Sequence, residues 1–299
     1  MFIKFKKGFT LIEILVAVAI VAILAGFTMI SFLEPQQSAN FTKLKSSWAI
    51  TEGKYINNLI GKWSLDEGSG TTAADSTDFK NNGTLANFAN TTAGYGDSNT
   101  SGWMSESKCI SRTCLKFDGN DDKVTASSSI LTGTEDFTVS AWIKRSSAGT
   151  VDFILGNYGY GNTNGLEFYI HSNNLLYVYI SGSVSSTSTI DTNWHYVVAT
   201  RTSGLVELYI DSSKNGSGTL ASSIGGTNPL TIGNGHDYIT EAFIGIIDEV
   251  SVYSNAITLS QIKSNYLAGL DKLLAKNLIT QTDYNQRIAE LEKNNLAEK

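Results

Sequence analysis

Residues that commonly do chemistry or pin small exported domains are scarce in this sequence. Among 299 residues there are three histidines, two cysteines and two prolines. Two cysteines are too few for a tetrahedral zinc site, and neither is followed by a histidine at ligand spacing. No G-x-S-x-G, H-E-x-x-H or P-loop pattern occurs. The formal net charge is −6 and the basic residues are scattered. Without a lysine/arginine stripe to track phosphates, nucleic acid is not expected as a partner. Paired carboxylates of the glycoside-hydrolase kind are also few. Asp248 and Glu249 in "IIDEV" fall on opposite faces of a strand, and Glu207 and Asp211 in "VELYID" share a face only at a strand end. No catalytic residue is therefore assigned, and the chain is not expected to be an enzyme.

What is present is glycine, serine, threonine and asparagine, interrupted by short runs of aromatic and β-branched residues. "FTVSAWIKR" (137–145) alternates, with Phe137, Val139, Ala141 and Ile143 on one face. "LEFYIHS", "LLYVYISG", "WHYVVATR", "VELYID", "LTIGNG" and "FIGIIDEVSVYS" follow between residues 166 and 254. The period of two marks strands, and no helical period separates them. Crossovers are thereby excluded, and an antiparallel sandwich is the expected solution.

Cys109 and Cys114 stand close together in "KCISRTC". A local disulfide is favoured because the chain reads as exported, and oxidising compartments preserve such bonds. Two buried free thiols are the other reading.

The amino terminus differs from all of this. Lys4, Lys6 and Lys7 precede Gly8, and from Ile14 to Leu33 no side chain is charged. As a helix that run spans about 30 Å, the thickness of a bilayer's hydrocarbon core. Glu13 stands at its start, where an unpaired carboxylate near lipid costs about 2.5–3.5 kcal/mol. A cleaved secretory signal has a shorter apolar core, and a plain signal anchor gives Glu13 no task. From 36 to 63, Phe41, Leu44, Trp48, Tyr55, Leu59 and Ile60 recur at helical spacing, so an amphipathic helix is expected beyond Pro35, which kinks or breaks the rod.

"KKGFTLIEILVAVAIVAIL" resembles the type IV prepilin signature. The resemblance implies cleavage between Gly8 and Phe9 by a prepilin peptidase, usually with methylation of the new Phe9 amine. It also implies that Glu13 pairs with that amine on a neighbouring pilin-like subunit, where the opposite charge offsets the cost of the carboxylate. The chain would sit in the inner (cytoplasmic) membrane as a single-pass protein with its carboxyl-terminal part outside, and reach the cell surface or a pilus afterwards. The usual small pilin head is not found after the stem.

"WSLDEGSGTTAADSTDFKNNGTL", "LKFDGNDDKV", "FTVSAWIK", "WHYVVATR", "LYID" and "GIIDEVSVY" occur in the order seen in laminin G-like, concanavalin A-like jelly rolls, which they resemble. Such domains commonly hold calcium near the acidic loops. That recommends Asp75, Asn82, Asp118 and Asp248 as ligands of one structural Ca2+, within a wider set that includes Asn81, Asp121 and Asp122. The same residues also suit turns, bonded to their own backbone. Trp142 and Trp194 read as core residues, His195 as a structural hydrogen bonder, and His171 and His236 as surface or loop residues. Gly68, Gly70, Gly83 and Gly119 read as turn glycines with positive φ.

The tail from 258 turns helical, with Thr258/Gln261 and Thr280/Asp283 as caps. "LDKLLAKNLITQTDYNQRIAEL" resembles the SHOCT helical hairpin, which implies a small subunit or partner contact. A helical pair folded on the sandwich is the plainer reading.

The expected architecture is mainly β: an antiparallel jelly-roll sandwich between a long transmembrane and amphipathic helix and a short helical hairpin. Its divisions are a leader (1–8), a stem (9–60), the jelly roll (61–266) and the hairpin (267–299). The expected function is that of a pilin-like or pseudopilin-like surface protein whose sandwich adheres to a glycan ligand. The alternative is a pseudopilin of a secretion or DNA-uptake machine whose sandwich touches only protein.

Overall fold

The computed structural model describes residues 11–12, 14–21, 58–92, 94–97, 100–133, 136–158, 164–225, 228–235 and 241–297. The chain divides into two compact units, Met1–Ile50 and Thr51–Lys299. In the first, residues 11–12 and 14–21 are helical and expose Leu11, Ile12, Leu15, Val18 and Val21. Gly8, Phe9, Glu13 and positions 22–57 of the expected stem lie outside the described residues. Among the described residues no helix is long and apolar enough to cross a membrane.

The second unit is built from strands β1 (Leu59–Trp63), β2 (Thr72–Ala73), β3 (Gly83–Ala86), β4 (Gly102–Trp103), β5 (Leu115–Asp118), β6 (Lys123–Ala126), β7 (Phe137–Arg145) and β8 (Asp152–Gly156). It continues with β9 (Glu167–Ile170), β10 (Leu175–Tyr179), β11 (Ser183–Thr189), β12 (Trp194–Thr202), β13 (Leu205–Ile210), β14 (Ser213–Thr219), β15 (Thr231–Ile232) and β16 (Ile244–Tyr253). Two helices close it, α1 (Leu259–Ala275) and α2 (Gln281–Ala297). Sheet one runs β14-β13-β12-β7-β16-β5-β4, with β1 also paired to β16; sheet two runs β11-β10-β9-β8-β15-β6-β3-β2. The strand pairs are antiparallel, as a meandering jelly roll requires.

Alternation decides which side chains enter the core. Phe137, Val139, Ala141 and Ile143 of β7 meet Val197 and Ala199 of β12 inside the sandwich. Sheet two contributes Phe168 and Ile170 of β9 and Leu176 and Val178 of β10. Arg145 and Asp152, both fully buried, join the end of β7 to the start of β8 through an Nε–Oδ2 contact of 2.7 Å. The Arg145 guanidinium also donates to Asn174 Oδ1 and to the Ile190 carbonyl, so the connection between sheets is a satisfied polar network.

Three expectations need correction. Leu59–Trp63 is a strand, not the end of the stem helix. Trp63 is buried in the core, and the segment gains a ladder with β16 that an isolated helix cannot offer. The expected jelly-roll boundaries at 61 and 266 accordingly fall inside β1 and α1. Gly83 is not a positive-φ turn residue, unlike Gly68, Gly70 and Gly119. It lies in β3, where a Cβ would come within 2.4 Å of Val124 Cγ1.

Trp142 and Trp194 are buried as expected, though outside the sandwich core. Trp142 lies on the outer face of sheet one beneath α1, where its indole stacks on Tyr266 (5.7 Å, 14°). Gly269 of α1 sits directly on that indole, and a Cβ there would lie 2.3 Å from Cζ2. Thr258 caps α1 by accepting from the Gln261 N–H, and Thr280 and Asp283 exchange reciprocal bonds at the start of α2. The hairpin is thus a third layer over sheet one.

Candidate functional site

The residues recommended as calcium ligands do not converge. The Asp75 carboxylate accepts from the backbone N–H groups of Lys62, Thr77 and Asn81 and from the Thr77 hydroxyl, while Asn82 Oδ1 accepts the Asp75 N–H. Both residues therefore organise the 75–82 turn. Asp248 is fully buried in β16 and accepts from the N–H of Ile110 at 2.8 Å and of Glu249 at 2.9 Å. Burial, reinforced by Glu249, holds its carboxyl well above the ordinary carboxylate range. Its work is to pin the segment from 105 to 114, which the Cys109–Cys114 disulfide closes.

Among the described residues, the carboxylates that do come together are Asp118, Asp121 and Asp122, with oxygens within 4.8 Å of one another. Asp122 accepts from the Asp118 N–H (2.9 Å) and the Ser101 hydroxyl (3.1 Å). Burial pushes its carboxyl up to about 7 against those bonds. An all-oxygen donor set of this kind suits a hard cation, so the trio could hold an ion. The turn between β5 and β6 makes the cluster; its G-N-D-D sequence contained that signal.

His195 is a structural hydrogen bonder. Nδ1 lies 2.7 Å from Asp211 and Nε2 lies 2.9 Å from Asp191. Burial disfavours the imidazolium, but Asp211 and Asp191 outweigh it and lift the pKa to about 9. Arg287 of α2 donates to the Trp194 carbonyl and lies 3.7 Å from Asp211, so the same cluster ties the hairpin to β12.

The outer face of sheet two carries a different constellation. With Phe168, Ile170, Leu176 and Val178 turned inward, Glu167 and Tyr169 of β9 and Tyr177 and Tyr179 of β10 stand outward. Register places Tyr177 opposite Tyr169 and Tyr179 opposite Glu167. The rings of Tyr169 and Tyr177 stack at 5.5 Å, and Tyr158 meets Tyr179 edge-on at 5.7 Å. Val151, Tyr158, Glu167, Tyr169, His171, Tyr179 and Glu241 line a groove of about 280 Å3. Burial, with Glu241 nearby, pushes the Glu167 carboxyl up to about 7. Burial also raises Glu241, although His171 works against it.

Sequence reasoning missed this groove. Glu167 and Glu241 are remote in the chain, and the tyrosines read as ordinary strand residues. The signal available was the outward row Tyr177–Tyr179, aromatic where an exposed strand face is normally polar. His171 was expected at the surface; it stands at the groove's edge, 5.5 Å from the Tyr177 ring.

An eight-stranded pair of antiparallel sheets with this topology is a concanavalin A-like jelly roll. Residues 118–263 match the model of the concanavalin A-like lectin/glucanases superfamily, and residues 3–29 match the prokaryotic N-terminal methylation motif. The chain therefore carries a methylation motif of the pilin type followed by a laminin G-like domain. No match was found among curated proteins.

Similar solved structures include domain 4 of AbnA, a GH43 extracellular arabinanase of Geobacillus stearothermophilus, in complex with arabinotriose. It is 19% identical with a TM-score of 0.54, covering 69% of this chain and 97% of that one. The binding domain of botulinum neurotoxin serotype D is 16% identical (TM-score 0.52), covering 73% of this chain and 52% of that one. Trypanosoma rangeli sialidase in complex with sialic acid is 15% identical (TM-score 0.51), covering 71% and 33%. At these identities the likeness is one of fold.

Proposed function

We propose that this chain is a type IV pilin-like surface protein that displays its jelly roll for adhesion to carbohydrate. The observation that carries the reading is the tyrosine-lined groove on the open face of sheet two. Aromatic faces pack against the apolar faces of sugar rings, and flanking carboxyls accept hydrogen bonds from hydroxyls. The arabinotriose held by AbnA domain 4 supports it by analogy of fold.

The methylation motif supplies the display. In this reading a prepilin peptidase cuts between Gly8 and Phe9. The apolar segment holds the chain in the cytoplasmic membrane, and Glu13 meets the Phe9 amine of a neighbouring copy during assembly. Purified full chain in detergent micelles should bind a defined subset of a glycan array, and Tyr169→Ala should lose that binding. Silence on the array, with co-purification of other pilin-like subunits, would favour a pseudopilin whose sandwich contacts only protein.

Binding without turnover belongs to the same reading. Oligosaccharides that bind should be recovered intact; release of reducing ends that Glu167→Gln abolishes would make the groove a hydrolytic site. We assign the Asp118, Asp121 and Asp122 trio to a structural calcium ion. EDTA should then lower the melting temperature, and Asp122→Asn should remove that sensitivity. An unchanged melting temperature would end the assignment.

A further inference from the structure

The charge of the groove is one-sided. Three tyrosine rings, Tyr158, Tyr169 and Tyr179, and two carboxyls, Glu167 and Glu241, surround it, and among the described residues no lysine or arginine lines it. Among the described lining residues the basic side chain is His171, which lies beside the Tyr169 ring at 6.4 Å. Two carboxyls that raise each other's cost of ionising are relieved by a cation seated between them. Tyrosine faces add to this, because the negative face of the ring attracts a positive charge within about 6 Å. An acidic sugar would meet two like charges instead. The size is also informative: about 280 Å3 lies at the small end of ligand pockets, which begin near ~300 Å3, and suits one terminal ring rather than a buried chain.

We propose that this groove binds a terminal amino sugar, its ammonium seated against the tyrosine rings and the paired carboxyls Glu167 and Glu241. The proposal rests on the glycan reading above and names its ligand class. The rings would hold the sugar face; the carboxyls would select the amine. Glu167 titrates near neutrality, so binding should tighten as pH rises from 5 to 7 and this carboxyl loses its proton. Glu241, also raised by burial, contributes in the same sense. Burial holds the Tyr169 hydroxyl above its ordinary value, so that ring remains neutral throughout.

The test is calorimetry of the full chain in micelles at pH 7 with three trimers: glucosamine, N-acetylglucosamine and glucose. The glucosamine trimer should bind about tenfold tighter than the others. In Glu167→Gln/Glu241→Gln the three should converge to within about threefold, whereas Tyr169→Ala should weaken all of them. Equal affinities in the wild type, or a preference for the neutral trimers, would overturn the amine assignment and leave the glycan reading standing. Failure of all three sugars and of the glycan array, together with binding of a lysine-rich peptide, would overturn both.

Discussion

The two outer faces of the sandwich carry the same kind of residue and meet opposite fates. On sheet one, Trp142 and Tyr196 form a tilted ring pair on which Tyr266 of α1 stacks, 5.7 Å from Trp142 and 6.5 Å from Tyr196, and the hairpin seals it. On sheet two, Tyr169, Tyr177, Tyr158 and Tyr179 form comparable ring pairs, and no helix of the described residues covers them. An aromatic outward face can therefore be packing or surface, and the carboxyl terminus decides which. Sheet one's rings sit under a glycine-faced helix. Sheet two's rings stand half-exposed beside two carboxyls in a groove.

Both faces depend on one frame, so breaking the frame should have the largest effect. Asp152→Ala leaves the Arg145 guanidinium buried without its carboxylate, and should cost about 3–5 kcal/mol in denaturant unfolding. A smaller loss is expected from Gly269→Ala, whose new methyl must displace the Trp142 indole; about 1–3 kcal/mol is expected from overpacking. Its counterpart on the open face, Tyr169→Ala, should cost about 1 kcal/mol of stability and nearly all of the sugar binding. If Gly269→Ala were neutral and Tyr169→Ala severe, the contrast between sealed and open faces would collapse.

The smallest effects separate the faces by pH. His195 has its pKa raised in the folded state, so the stability it contributes is complete below about 6.5 and disappears as pH passes about 9. Glu167 is likewise raised by folding, and its contribution is complete below about 4.3 and disappears through about 7. Melting temperature against pH should show both steps. His195→Gln should reduce only the alkaline one, and Glu167→Gln only the acidic one, to which Asp122, Asp248 and Glu241 also contribute.

Much of the frame was legible because alternation and capping are local. The inward face of β7 follows from "FTVSAWIKR" alone, and the caps at Thr258 and Thr280 follow from hydroxyls placed three residues ahead of their partners. The misreadings came where distant partners decide. Leu59–Trp63 has helical spacing with the preceding residues but pairs with β16, far along the chain. Asp75, Asn82, Asp118 and Asp248 suit the same ligand chemistry without sharing a place. Asp75 turns back on its own loop, Asp248 holds the disulfide-closed segment, and Asp118 joins Asp121 and Asp122. The groove was invisible for the same reason, since Glu241 reaches Glu167 only through the sheet topology.

Oxidative side-chain footprinting of the full chain, with and without the tightest sugar from the array, tests the central claim most directly. The account predicts protection of Tyr158, Tyr169 and Tyr179, with Tyr253 and Tyr284 unchanged. Protection at the 118–122 turn or on the hairpin, with the sheet-two tyrosines oxidised as before, would contradict it.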